Sequence, residues 1–99
     1  MKFYFDCNPK YYKNQDLYNA AIDVDYSDMI DPPIIQAYGS DGRFTMEVAD
    51  EQILDLKHSL NDAIVIYGLD NQETVNNLGR RLYWIYDEIL IQLRQINKQ

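Results

Sequence analysis

The residues with the most chemistry to offer are the closely spaced carboxylates of the segment Asp23-Val24-Asp25-Tyr26-Ser27-Asp28. Oxygen donors at the first, third and fifth positions open a calcium-binding loop, which also needs a glycine at the sixth position and a bidentate glutamate at the twelfth. Here those two positions hold Asp28 and Ile34. A hard cation such as Mg²⁺ between Asp23 and Asp25 would need further acids. A solvated polar face explains the pattern, and we predict no metal site.

Nucleophilic catalysis has few candidates in this chain. Cys7 is the only thiol and His58 the only imidazole, and a Cys/His pair would need a third group to orient the base. One Cys and one His do not make a zinc site. Paired carboxylates act as general acid and base where their surroundings differ, and nothing in the sequence distinguishes the surroundings of Asp23 from those of Asp25. The sequence therefore predicts a protein that is not an enzyme and uses no cofactor.

The acidic residues concentrate in one block of the chain. Residues 14–55 hold ten of the sixteen carboxylates but only one of the nine Lys and Arg side chains, Arg43, and the formal net charge is −7. A concentrated negative field repels nucleic acid and attracts basic protein surfaces. Small basic clusters such as Arg80 and Arg81 are too few for a nucleic-acid interface. We expect no direct binding to nucleic acid.

Length and composition are those of a globular protein. The 99 residues are 46 % hydrophobic, which suffices to bury a core without disulfides. A single cysteine forms no internal disulfide and gives no sign of an oxidising compartment. The longest apolar run, at residues 63–67, is too short to cross a bilayer. We therefore expect one domain over residues 1–99, in the cytoplasm and without membrane contact.

The first half of the chain has strand patterns. Strands are predicted at about residues 2–6, 20–27, 34–38 and 43–48. The last two strands flank Gly39-Ser40-Asp41-Gly42, which favours a hairpin. The strand at 20–27 depends on strict alternation of apolar and polar residues. A helix over residues 15–23, with Asn14 as its N-cap, is the alternative.

Helical periodicity begins near residue 51. Asp50 is the predicted N-cap of a helix over about residues 51–67, which Gly68 ends. Asp70 and Glu73 form a variant capping box at the start of a second helix over about residues 71–96. A short link makes the helices antiparallel neighbours, whose apolar faces need a sheet as partner. We predict an α+β fold in which a small antiparallel sheet of three or four strands packs on a C-terminal helical hairpin.

Seven side chains are predicted to bind a partner. Five are carboxylates with no evident role in folding, namely Asp23, Asp25, Asp28, Asp31 and Glu47. The other two are Tyr26 and Trp84, because aromatic side chains anchor many protein interfaces. The predicted partner is a basic surface of another protein, in particular one that normally holds nucleic acid and is inhibited by a mimic of it. Phage-encoded inhibitors of host enzymes have this character.

A structural or assembly role is the alternative function. The apolar stripe of the last helix extends beyond the reach of a small sheet and leaves residues 89–96 without cover. A two-fold homodimer would cover them. A metal-dependent enzyme that uses Asp23 and Asp25 is a third class, and it would need ligands beyond these two.

Overall fold

The computed structural model describes residues 1–5, 13–70 and 74–97. In chain order the elements are β1 (Lys2–Phe5), α1 (Asn14–Ile22), β2 (Ile34–Tyr38), β3 (Arg43–Glu47), a 3₁₀ turn (Asp50–Gln52), α2 (Ile53–Tyr67), β4 (Leu69–Asp70), β5 (Thr74–Val75) and α3 (Asn77–Asn97). The α+β class is confirmed. None of the described helices is long and apolar enough to cross a membrane. Cys7 and Glu73 lie outside the described residues, so the predictions about Cys7 stay predictions. The predicted capping box of Asp70 and Glu73 is wrong, because Asp70 lies in β4 and the last helix begins at Asn77.

The larger sheet consists of β1, β2 and β3, with β3 in the centre and both pairs antiparallel. Thr45 of β3 lies between Tyr4 of β1 and Gln36 of β2. The predicted hairpin between β2 and β3 is confirmed. Gly39 and Gly42 adopt positive φ angles of 73° and 85°, which residues with a side chain rarely adopt.

One hydrophobic core lies between the inner face of this sheet and the three helices. Phe5 of β1 stacks on Phe44 of β3, with ring centroids 4.6 Å apart. The other fully buried large side chains are Phe3, Leu17, Met46, Leu56, Leu60, Ile64, Leu82, Ile85 and Ile89. The alternation of Phe44 and Met46 in β3, and of Val48 directly after it, places these side chains on the inner face of the sheet, although Thr45 on the outer face is also buried.

The second of the four predicted strands, at residues 20–27, is wrong. Residues 14–22 form α1, and residues 23–33 form turns and irregular structure. The buried residues here are Leu17, Ala20, Ala21 and Val24, whose spacing is that of one helix face. The apolar residues of the alternation share no face, because Ile22 is 46 % exposed whereas Val24 is buried. The helix that was the alternative is the correct interpretation.

The predicted caps of the first two helices are also wrong. Asn14 is the first residue of α1 and is buried, while Lys13 occupies the N-cap position without a side-chain cap. Asp50 begins a 3₁₀ turn that precedes α2. Its carboxylate lies 3.2 Å from the N-terminal ammonium of Met1. Asp50 therefore pairs with a cation from the edge of the sheet and does not cap the helix.

The last helix begins at Asn77, later than the predicted start near residue 71, because the two short strands β4 and β5 pair in the link. Asn76 is its N-cap, since the Oδ1 atom accepts a hydrogen bond of 2.8 Å from the N–H of Gly79. α2 and α3 pack on each other. Gly68 and Gly79 are so close there that a Cβ atom on Gly68 would lie 2.7 Å from the Cα of Gly79.

Candidate functional site

Two of the five predicted carboxylates, Asp31 and Glu47, line one cavity. Asp31 precedes β2, and Glu47 ends β3, where it pairs with Ile34. The cavity has a volume of about 510 Å³. The rest of its lining consists of Met1, which carries the N-terminal ammonium, and of the apolar residues Pro32, Ile34, Val48 and Ala49. This acidic cavity therefore combines two exposed carboxylates with an apolar surface.

Asp25 and Asp28 line a smaller pocket of about 100 Å³, together with Asp62 of α2. The remaining lining residues of this small pocket are Ser59, Ala63, Ile66 and Tyr67. Ile66 and Tyr67 are 65 % and 64 % exposed. The sequence did not single out Asp62, because its place on the polar side of α2 does not reveal which segment folds against that helix.

Few carboxylates have a cationic neighbour. The ion pairs among the described residues join the Met1 ammonium to Asp50, Arg43 to Asp41, and Arg81 to Asp16. None of these acids lines the acidic cavity or the small pocket. The pocket acids Asp25, Asp28, Asp31, Glu47 and Asp62 form no ion pair within the described part of the chain. Lys2 lies opposite Glu47 in the β1–β3 pair and the Met1 ammonium lies at the acidic cavity, so the negative field there is partly offset, whereas the field of Asp25, Asp28 and Asp62 is open to a partner.

Asp23 and Asp25 have different surroundings. Asp25 accepts a hydrogen bond of 2.9 Å from the N–H of Ser27. Hydrogen bonds from the side chain and the N–H of Ser27 hold the pKa of Asp25 below its ordinary value. Asp23 follows α1 and lines a separate crevice of about 30 Å³, which shares Ala63 and Tyr67 with the small pocket. Asp23 is thus beside the small pocket but does not line it.

The two predicted aromatic anchors lie in half-buried positions. The hydroxyl of Tyr26 donates a hydrogen bond of 2.6 Å to the C=O of Ala21, and burial raises the pKa of Tyr26 well above its ordinary value. The ring of Trp84 packs against Phe5, with ring centroids 6.5 Å apart. Tyr67 is the more exposed aromatic side chain beside the acids. The described structure therefore presents Tyr67 where the sequence suggested Tyr26.

Within residues 1–5, 13–70 and 74–97, no group of three or more Asp, Glu, His or Cys side chains could hold a metal ion. His58 is exposed on α2 and lines neither the acidic cavity nor the small pocket. Comparison with protein-family models, with curated proteins and with solved structures found no match. Any function must therefore be argued from the chemistry of the surface.

Proposed function

We propose that this protein is a non-enzymatic binding protein whose acidic surface engages a basic surface on another protein. The supporting observation is the position of the carboxylates. Asp25, Asp28, Asp31 and Glu47 line concave sites, and Asp62 joins them there. Concave sites with a few polar groups above an apolar lining are typical of binding sites. Carboxylates that serve only solubility need no such position.

The lining of both concave sites suits lysine and arginine side chains. These side chains carry a cationic head on an apolar stem, so they bind best where a carboxylate lies beside an apolar surface. In the acidic cavity, Pro32 and Ile34 would contact the stem, while Asp31 and Glu47 would attract the head. In the small pocket, the ring of Tyr67 offers a further attraction for a cation.

A protein surface that normally binds nucleic acid presents several lysine and arginine side chains to phosphates. The acidic cavity and the small pocket are joined by the segment from Asp28 to Asp31. We propose that their carboxylates occupy such a surface in place of phosphates. The protein would then act as an inhibitor of the type that phages encode, because nucleic acid and inhibitor compete for one site.

Two matched variants test this function. In the first, Asp28→Asn, Asp31→Asn and Glu47→Gln remove three charges from the concave sites. In the second, Glu51→Gln, Asp55→Asn and Asp87→Asn remove three exposed charges elsewhere. Wild-type protein immobilised as bait in a bacterial lysate at low salt should retain basic proteins, and raising the salt should release them. The control variant should retain the same proteins, and the site variant should lose them.

Competition defines the kind of target. Duplex DNA added to the retained complex should displace the target if both bind the same basic surface. Equal retention by the two variants would overturn the proposal, because the concave position of the charges would then have no effect. Loss of retention by both variants to the same extent would also overturn it, since net charge alone would account for binding.

Homodimerisation through α3 is the second candidate function, and the exposed side chains of Ile91 and Ile96 favour it. They are 44 % and 51 % exposed near the end of the helix. Ile89 is buried and Leu93 packs against the core, so the surface left for a dimer is smaller than the predicted span of residues 89–96. Sedimentation at micromolar concentration tests it, and a single species of 11.7 kDa would reject it.

A further inference from the structure

The three-stranded sheet has one covered edge. Beside β1, the side-chain amide of Gln92 in α3 accepts a hydrogen bond of 3.0 Å from the N–H of Tyr4. The same amide donates a hydrogen bond of 2.7 Å to the C=O of Tyr4. These are the two bonds that a neighbouring strand would make at this residue. Gln92 therefore covers the middle of the β1 edge. Covering an edge is a common way to prevent unwanted strand pairing.

The bonds of Tyr4 also determine which main-chain groups lie on the opposite edge. In an antiparallel pair, residues alternate between positions whose N–H and C=O groups point to the partner strand and positions whose groups point away. The N–H and C=O groups of Tyr4 point away from β3. The N–H and C=O groups of its partner Thr45 therefore point away from β1 and toward Gln36 of β2. It follows that Ile35 and Ala37, one position on either side of Gln36, direct their N–H and C=O groups away from β3.

The β2 edge is open at these two residues. Within the described part of the chain, no hydrogen bond reaches the N–H or C=O groups of Ile35 and Ala37. β2 contains no charged residue and no proline, which are the usual devices that protect an exposed edge. The edge therefore offers two donors and two acceptors at the spacing that an added strand requires.

We propose that the β2 edge binds an extended basic segment of the partner protein, which becomes the fourth strand of the sheet. This inference rests on the proposed function. The start of β2 adjoins the acidic cavity, because Ile34 lines that cavity together with Asp31 and Glu47. A segment paired with Ile35 and Ala37 would place a lysine or arginine side chain beside Ile34, within reach of these carboxylates.

Charge favours a basic segment over a second copy of this chain as the occupant of the edge. Each copy has a formal net charge of −7. Two-fold antiparallel pairing of two β2 edges would place the acids Asp31 and Glu47 of the two copies at opposite ends of the interface. Self-pairing is therefore opposed by the net charge of each copy and not by direct contact of these acids. A basic strand meets the same carboxylates with opposite charge. Main-chain hydrogen bonds would supply affinity, and the acidic cavity would select the basic side chain.

A ten-residue peptide of alternating lysine and threonine is the probe for this proposal. On its addition to the wild-type protein at low salt, the amide hydrogens of Ile35 and Ala37 should exchange at least about tenfold more slowly, as measured by NMR. The variant Ala37→Pro removes one outward N–H group without removing a bond to β3, and it should bind the peptide about tenfold more weakly. The control Ala37→Ser keeps that N–H group and should bind like wild type.

The outcomes separate this inference from the proposed function. Salt-sensitive binding with unchanged exchange at Ile35 and Ala37, and with full affinity of Ala37→Pro, would overturn strand addition and leave the proposed function intact. Unchanged affinity of the variant that neutralises Asp28, Asp31 and Glu47, or no binding to wild type, would overturn both. If exchange at Ile35 and Ala37 slows with increasing protein concentration in the absence of peptide, a second copy occupies the edge. That result would overturn the proposal that a basic segment binds there.

Discussion

Tyr26 illustrates at the residue scale how a side chain selected for binding can have a role in folding. Its hydroxyl donates a hydrogen bond to the C=O of Ala21, one of the last four carbonyls of α1, which have no partner within the helix. We expect Tyr26→Phe to lower the free energy of unfolding by about 1 kcal/mol, because it leaves that carbonyl unpaired. Urea denaturation measures the change. Tyr4→Phe, at a side chain that is 50 % exposed, is the control and should change little.

The same tyrosine gives a dependence on pH. Burial raises the pKa of Tyr26 in the folded protein above its value in the unfolded chain. Stability from this group is therefore fully present below about pH 10 and is lost as the pH rises further. The stability difference between wild type and Tyr26→Phe should narrow above about pH 10. A difference that stays constant up to the highest accessible pH would contradict this assignment.

The candidate site was only partly predictable from the sequence. The hairpin pairs Ile34 with Glu47 and so brings Asp31 and Glu47 to one cavity, a proximity that was not predicted from the sequence. Asp62 was missed because the contact between α2 and the irregular segment after α1 depends on tertiary packing. Trp84 is half-buried because Phe5 packs beside it, which spacing alone did not reveal.

At the scale of elements, Asn76 connects the end of α2 to the start of α3. Its Oδ1 atom caps the N–H of Gly79, and its Nδ2 atom donates a hydrogen bond of 2.8 Å to the C=O of Tyr67. We expect Asn76→Ala to lower the free energy of unfolding by about 1–2 kcal/mol, because both helix ends lose a partner. Asn76→Ser keeps a capping oxygen and loses the amide donor without placing a second carboxylate beside Asp70, so its effect should be smaller. If thermal denaturation shows the same loss of stability for both variants, the hydrogen bond donated by Nδ2 accounts for all of it and the cap contributes nothing.

Gly79 should respond to alanine in the opposite sense to an ordinary helical glycine. Alanine usually stabilises an exposed helix interior by about 1 kcal/mol relative to glycine. Here a Cβ atom on Gly79 would lie 3.0 Å from the Cα of Gly68, so the two helices would have to move apart. We expect Gly79→Ala to destabilise the protein by about 1–3 kcal/mol in urea denaturation. Arg80→Ala, at the next and exposed position, should be near neutral.

The elements that the sequence predicted correctly are those with one dominant pattern. β3 has a clean period of two, and the hairpin before it has glycines at the positions with positive φ. Residues 20–27 carried two patterns at once, and only packing decided between them, since α1 buries Leu17, Ala20 and Ala21 together. The late start of α3 was missed because the two-residue strands in the link are too short to have a period.

At the scale of the whole molecule, the charge distribution opposes folding. The formal net charge is −7, and the described residues contain three ion pairs. Self-repulsion of this kind weakens as the Debye length falls from about 30 Å at 0.01 M salt to about 3 Å at 1 M. We expect the melting temperature of the wild-type protein to rise with NaCl over this range. A melting temperature that falls with salt would mean that attractive pairs outweigh the repulsion.

The concave acids should account for more of this instability than acids elsewhere. Glu51 lies in the 3₁₀ turn and Asp55 in the first turn of α2, where the helix dipole stabilises a negative charge. Neutralising Glu51, Asp55 and Asp87 therefore removes helix-dipole attraction along with repulsion, whereas among Asp28, Asp31 and Glu47 the attraction lost is that of Glu47 to Lys2, which lies opposite it in β1. At low salt the site variant should melt at a higher temperature than the control variant, and the difference should shrink at 1 M salt. A lower melting temperature of the site variant would show that these carboxylates support the fold, and it would remove the reason to regard them as retained for a partner.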